Sequence, residues 1–350
     1  MPYRVFAAVS GPCSNCHTMH YSQDGQPLGT DGPHQHLLIE KQGGHHSSAC
    51  VTCHSSQTSS TYEDLGGCKV PIVFYYGTSA PTEYLAGGNF WWVKEGLGND
   101  DTKGHNVFLD EDDDYLDEAP GWAIGCNNSC HTDLSKEYTG SDMGEGLPGK
   151  YGCQGCHLHP KHHANDHANG ESGLVDSADK GWYRFLSGHM GGIGQGVEGY
   201  EDGDWEASTS PSDHNEYLGS EKTTGRGFAN LGHTTTAFCT GCHGVFHDNQ
   251  GSESPWLRHP TAVVLPNSGE YASAFGATGG VGSYNPLIPV ARPSLPSSPD
   301  SSVHIGTDIV MCLSCHRPHG SPYPKLMRWD YQNWPGGGTN GCAVCHTEKD

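Results

Sequence analysis

In a chain of 350 residues, two cysteines followed at once by a histidine recur seven times, and no other feature limits the fold so strongly. Six copies are strict: Cys13/Cys16/His17, Cys50/Cys53/His54, Cys153/Cys156/His157, Cys239/Cys242/His243, Cys312/Cys315/His316 and Cys342/Cys345/His346. The seventh, Cys126/Cys130/His131, has one extra residue between its thiols. Random placement of 15 cysteines and 24 histidines would give about 0.04 strict copies. Two thiols at this spacing add across the vinyl groups of one haem, and the adjacent histidine reaches the iron from the proximal side. The motifs therefore predict seven haem c groups. Paired thiols also occur in zinc sites, but that reading leaves the following histidine unexplained. A disulfide framework would leave Cys68, the one cysteine outside the motifs, without an internal partner.

Length alone suggests two or three domains. However, only 34% of residues are hydrophobic, and 50 Gly with 22 Pro favour turns over long helices. Such a chain needs something besides side chains to fill its interior, and seven macrocycles would do so. The expected architecture is mostly irregular coil with short helices and few strands, organised around a stacked haem chain. It forms a single continuous body over 1–350, with sub-regions at 1–60 (two haems), 61–121 (an acidic insert), 122–170 (a haem pair) and 171–350 (three haems). Strand-like runs fall at 69–76, 89–93 and 261–265; short helices are expected at the motifs and over 160–169. The Pro- and Ser-rich stretch 286–302 reads as an extended surface connection.

A formal charge of −22 excludes nucleic acid as a partner, because phosphate binding needs a basic face. It suits cationic partners, metal ions or positively charged mineral surfaces. Asp110, Glu111, Asp112, Asp113, Asp114, Asp117 and Glu118 form one run, read as a solvated loop, with calcium binding as the lesser alternative. No apolar stretch approaches the roughly 20 residues that cross a bilayer, so no membrane span is expected. The first ten residues are too short an apolar run for a secretory signal. Since haem c is attached outside the cytoplasmic membrane, the chain reads as mature, its signal removed.

Iron in haem c takes a second axial ligand from histidine or methionine, or keeps an open site. Seven of the 24 histidines are proximal, which leaves 17 against six methionines; bis-histidine ligation is the economical reading. His20 and His319, each three past a proximal ligand, point toward a neighbouring iron, and His247 lies four past His243. His162, His163 and His167 share one segment, of which one is expected to ligate. His45 or His46, His189, His214, His233, His259 and His304 complete the pool.

The segment from Cys312 through His319 to Tyr331 and the closing Gly341 to Thr347 resemble the doubled C-x-x-C-H multihaem cytochromes of metal-respiring bacteria, including outer-membrane and extracellular nanowire types. Phe246-His247, Leu257-Arg-His-Pro260 and Ser212-Asp-His-Asn-Glu-Tyr217 are similar to segments of that family. The resemblance runs from residue 122 onward and over 13–24; the stretched motif and the acidic insert depart from it. It implies His20, His163, His214, His247, His259 and His319 as distal ligands. It also implies subunits that polymerise so that terminal haems meet.

Closely spaced six-coordinate haems form a conduit, because saturated iron cannot bind substrate. Long-range electron transfer outside the cell or at its outer surface, reached through the periplasm, is the expected function. The partners expected are copies of the same chain end to end, other cytochromes, and acceptors such as metal oxides. The rival is a periplasmic multihaem reductase of nitrite, hydroxylamine or a sulfur oxyanion. That requires one open iron, often marked by a lysine in place of the proximal histidine, and no motif of that kind is present.

Overall fold

The computed structural model describes residues 48–93, 101–105, 153–157, 160–167, 171–188, 195–222, 231–240, 259–333 and 340–348, together with nine separate positions between 9 and 27. Regular structure in these residues is short, as the glycine and proline content dictates. The helix Ser48–His54 has seven residues, and Cys153–Cys156 and Cys342–Cys345 are single helical turns. Helices of this length do not persist alone in water, so tertiary contacts hold them.

The sequence does not announce a six-stranded sheet, in the order Val263–Val264, Ile309–Val310, Ala291–Arg292, Glu216–Leu218, Gly199–Glu201, Gly173–Val175. Neighbours are antiparallel except Ala291–Arg292 beside Glu216–Leu218, where Ala291 faces Tyr217 and Arg292 faces Leu218. The stretch 286–302 is therefore not a plain surface connection. Ile288, Val290, Ala291 and Arg292 are buried, and two of them form an inner strand. Gly219 allows this closeness, since a Cβ there would stand 2.7 Å from the Ala291 Cβ.

Two further expectations give way to local hydrogen bonding. Residues 89–93 are not a strand; Phe90–Trp92 makes one 3-10 turn because the buried Asn89 side chain accepts from the backbone N–H of Trp91 and of Tyr75, both at 3.0 Å. Among the described residues, 160–167 form turns rather than a helix. There the Ala164 N–H goes to Lys161 O at 2.8 Å and the Asn165 N–H to the distant Asp179 O at 3.1 Å, which breaks the i to i−4 ladder.

Side chains from the acidic insert bury Phe74, Phe90 and Val93 together, and the insert is tied to the C-terminal region. Asn89 N donates to Gly320 O at 3.0 Å, His319 N to Gly87 O at 2.8 Å, and Ser321 N to Lys103 O at 2.9 Å. Gly88 sits at φ +90° with Gly320 O 1.9 Å from where a Cβ would stand, so only glycine lets these backbones meet.

Two larger apolar clusters border the haem motifs. Leu265, Phe275, Tyr284, Ile288, Val290, Val303 and Trp329 pack against Cys315, Cys342 and Cys345; Tyr183, Val197, Tyr217, Phe238, Ile309 and Met311 pack against Cys156 and Cys239. The core thus opens onto these cysteines rather than closing on itself. Cys16, Cys50, Cys53, Cys153 and Cys312 are not members of these clusters. The helix Ser48–His54 meets its cluster through Val51, which packs against Phe74, Phe90 and Val93.

A buried ionic group joins the central strands. Arg292 Nε donates to Glu216 Oε2 at 2.9 Å, and its Nη1 reaches Asp308. Burial opposes ionisation of Glu216, but hydrogen bonds from His214 and Arg292 outweigh it and hold the carboxyl below its usual range. Replacing Arg292 with methionine strands two buried carboxylates and is expected to cost about 3–5 kcal/mol of stability. Thermal unfolding of the haem-loaded protein checks this; an unchanged midpoint would mean the group is not buried in solution.

Candidate haem-iron centres

Three described attachment loops turn back on themselves through one backbone bond. His157 N donates to Cys153 O at 2.9 Å, His316 N to Cys312 O at 3.1 Å, and His346 N to Cys342 O at 2.8 Å. One helical turn so closed brings both thiols and the imidazole to one side, which is what covalent attachment and ligation of a single macrocycle require. In the second motif Cys50 and Cys53 stand three apart on the helix Ser48–His54, whose last residue is the proximal histidine, so helical spacing puts both thiols on one face. The described motif cysteines, Cys16, Cys50, Cys53, Cys153, Cys156, Cys239, Cys312, Cys315, Cys342 and Cys345, are half-buried and form no disulfide, and neither does the buried Cys68.

The proximal rings of these four loops are also oriented. Nδ1 of His54 donates to Pro71 O at 2.9 Å, of His157 to Arg184 O at 3.0 Å and of His316 to Lys325 O at 2.7 Å, while Nδ1 of His346 meets Glu270 Oε1 at 3.1 Å. A carbonyl or carboxylate oxygen only accepts, so Nδ1 carries the proton and Nε2 presents the lone pair that binds metal. Burial lowers the pKa of His54, and takes His157 to about 4 even against the Arg184 carbonyl bond. Both imidazoles are neutral, the form that ligates.

Distal candidates fall opposite these rings. Ring centroids lie 6.1 Å apart for His17 and His163, 6.2 Å for His54 and His162, 6.2 Å for His157 and His319, and 6.3 Å for His346 and His259. Two metal–nitrogen bonds of about 2.0–2.1 Å, with about 1.1 Å more from each nitrogen to its ring centre, predict a separation of about 6.2 Å across one iron. Direct ring stacking is much tighter, as His214 on Tyr284 shows at 3.6 Å. The four pairs are therefore spaced for a metal between them. By contrast, among the described residues no group of three or more His, Cys, Asp or Glu side chains could hold an ion directly.

The match with known proteins agrees. A family model described as the doubled CXXCH motif covers residues 306–350. The C-type cytochrome OmcS of Geobacter sulfurreducens is 28% identical over 383 residues, spanning 93% of this chain and 81% of that protein. These two matches make the chain similar to multihaem c-type cytochromes of the nanowire type. In the cryo-EM structure of OmcS nanowires from the same organism the fold matches with a TM-score of 0.55, at 18% identity, over 98% of this chain and 92% of that one.

Other histidines of the pool have different partners. His214 is wholly buried, with Nε2 on Glu216 Oε1 at 3.1 Å and Nδ1 on Ser210 O at 3.3 Å. Both nitrogens are engaged inside the core, which leaves neither for an iron. His233 stacks on Trp182 at 4.9 Å and gives Nδ1 to Gly196 O at 2.6 Å; His304 meets Asp300 at 3.0 Å; His167 meets Glu201 at 3.4 Å. Cys13, Cys126, Cys130, Cys242, His20, His45, His46, His131, His189, His243, His247 and the acidic run at 110–118 lie outside the described residues.

Sequence reasoning passed over His105. It lies in the acidic insert, and its Nδ1 donates to Pro318 O at 2.7 Å, the same anchoring that the proximal rings have. Burial lowers its pKa despite that bond. Nothing in the local sequence marks it, because it neighbours no motif in the chain and meets residues 318–319 only through folding.

Thiols of different motifs also meet. Cys50 and Cys153 hydrogen-bond, which with burial raises the Cys50 pKa, and a bond with Cys239 brings Cys312 down to about 7 against burial. These sulfurs stand for thioethers once haem is attached and then no longer titrate. What the contacts fix is that the anchors of successive groups adjoin.

Proposed function

We propose that this cytochrome carries seven haem c groups, each iron held by two histidines, and moves electrons over long distances outside the cell. Haem supplies one-electron chemistry at the iron; the chain supplies spacing, ligands and exclusion of substrate. The observation that carries the reading is the set of four histidine pairs at 6.1–6.3 Å.

The pairs also imply an order. The loop after His157 supplies His162 and His163 to the irons of His54 and His17, and the loop after His316 supplies His319 to the iron of His157. The Cys50–Cys153 contact joins two of these motifs again, the Cys239–Cys312 contact adds the motif at 239, and Cys315 beside Cys342 and Cys345 adds the last. These links support a line through the described motifs from the first to the last. A route of that kind, with OmcS known as a nanowire protein, supports end-to-end polymerisation of this chain into a conducting filament. Among the described residues no helix is long and apolar enough to cross a membrane.

Intact-mass measurement is expected to exceed the 37.5 kDa polypeptide by seven haem masses; six would remove Cys126/Cys130/His131 from the set. Ligation has its own signature. The imidazole planes are 17° apart for His17/His163 but 88° apart for His259/His346, and that angle governs the d-orbital splitting of low-spin iron. EPR of the oxidised protein is expected to resolve at least two classes of low-spin signal. A substantial high-spin fraction would favour the reductase reading instead.

A further inference from the structure

Two arginines, Arg328 buried and Arg317 half-buried, have no carboxylate paired with them among the described residues. Arg328 is 3% exposed. Its Nε donates to Leu313 O at 2.7 Å and its Nη1 to Pro286 O at 3.3 Å, while its buried Nη2 meets no acceptor. Arg317, directly after His316, gives Nη1 to the carbonyls of Leu85 and Ala86 at 3.2 and 2.7 Å and lies 5.0 Å over the Tyr84 ring. Its Nε is likewise buried without an acceptor.

The other buried guanidiniums of the sheet region are compensated: Arg292 by Glu216 and Asp308, Arg184 by Glu201. The buried Glu206 accepts from Asn215 N at 2.9 Å and makes no ion pair with either arginine among the described residues. A guanidinium nitrogen buried with neither an acceptor nor a counter-anion is costly. Among the described residues no carboxylate pairs with either arginine, although the chain carries a net charge of −22, which points to an anion other than a side chain. Position says what it is. Arg328 N donates to Cys315 O at 2.9 Å and its Nε to Leu313 O, so it clasps the Cys312–His316 loop, and Arg317 belongs to the same turn. Each haem carries two carboxylates, and a guanidinium fork matches a carboxylate.

We propose that Arg317 and Arg328 form a carboxylate clamp for haem propionates at the C-terminal pair of attachment sites, and that this clamp raises the potential of one haem above its neighbours. Ferric iron carries one more positive charge than ferrous, so cations that cancel propionate charge nearby favour the reduced state. The proposal rests on the multihaem reading and adds a specific electron-holding position to the line.

The test is a spectroelectrochemical titration of haem-loaded Arg317→Gln, Arg328→Gln and the two Arg→Lys variants beside the parent protein. In Arg317→Gln or Arg328→Gln, one one-electron component is expected to move to lower potential by at least a tenfold change in its oxidised-to-reduced ratio, about 59 mV. Haem count and low-spin signals stay as in the parent, and lysine keeps most of the parent potential. All components unchanged, or all shifted equally, in a variant with full haem content would overturn the clamp. If Arg328→Gln does not fold, Arg317→Gln alone decides. Failure of the multihaem reading is distinguishable, because it would appear in the parent protein as missing haem or high-spin iron.

Discussion

Replacing His319 with alanine is expected to convert one iron from low to high spin and leave the rest unchanged. His319 is half-buried, its ring lies 6.2 Å from His157, and desolvation followed by repulsion from His157 and His105 takes it to about 3. It is held in place by Phe90, whose ring is 4.9 Å away, and by its backbone bond to Gly87. Loss of the imidazole opens the sixth position, and added imidazole is expected to restore the low-spin state. Magnetic circular dichroism reads both changes. Since His105 lies near enough to repel His319, the His105→Ala, His319→Ala double variant guards against a substitute ligand. Low-spin iron throughout that double variant would mean His319 does not ligate.

The second large effect concerns folding without haem. A chain with all fourteen motif cysteines changed to alanine is expected to lose cooperative unfolding altogether. Its helices at the motifs span four to seven residues, short of the roughly 12–15 at which isolated helices become marginal. The apolar clusters end on Cys156, Cys239, Cys315, Cys342 and Cys345, where the macrocycles attach. Without them those faces are open, and 34% hydrophobic content cannot close them. Far-UV circular dichroism with a thermal ramp measures this; a sharp melt like that of the haem-loaded protein would show that the polypeptide has a sufficient core of its own.

Much of the site was legible because haem attachment demands contiguous residues: both thiols and the proximal histidine fall within five or six positions. His163, His259 and His319 could be named because each stands near a motif or in a segment like those of related cytochromes. His162 and His163 were read as alternatives, whereas the turns at 160–167 aim them at different proximal rings. Coil as the dominant state followed from glycine and proline. The six-stranded sheet was not legible, since strands of two or three residues cannot display a period-two pattern, and its members range from Gly173 to Val310. His214 looked like the other spare histidines; only the fold brings Tyr284 and Glu216 against it. The turn at Phe90–Trp92 defeated the strand propensity of its aromatic residues because Asn89 captures two backbone N–H groups.

A cryo-EM map of the haem-loaded protein at a resolution that shows each iron and both its axial side chains bears most directly on the electron-transfer account. The expected map has seven irons, each between two imidazoles, with His17/His163, His54/His162, His157/His319 and His346/His259 each sharing one iron. An iron with an open sixth position, or any of these four pairs divided between different irons, would contradict it.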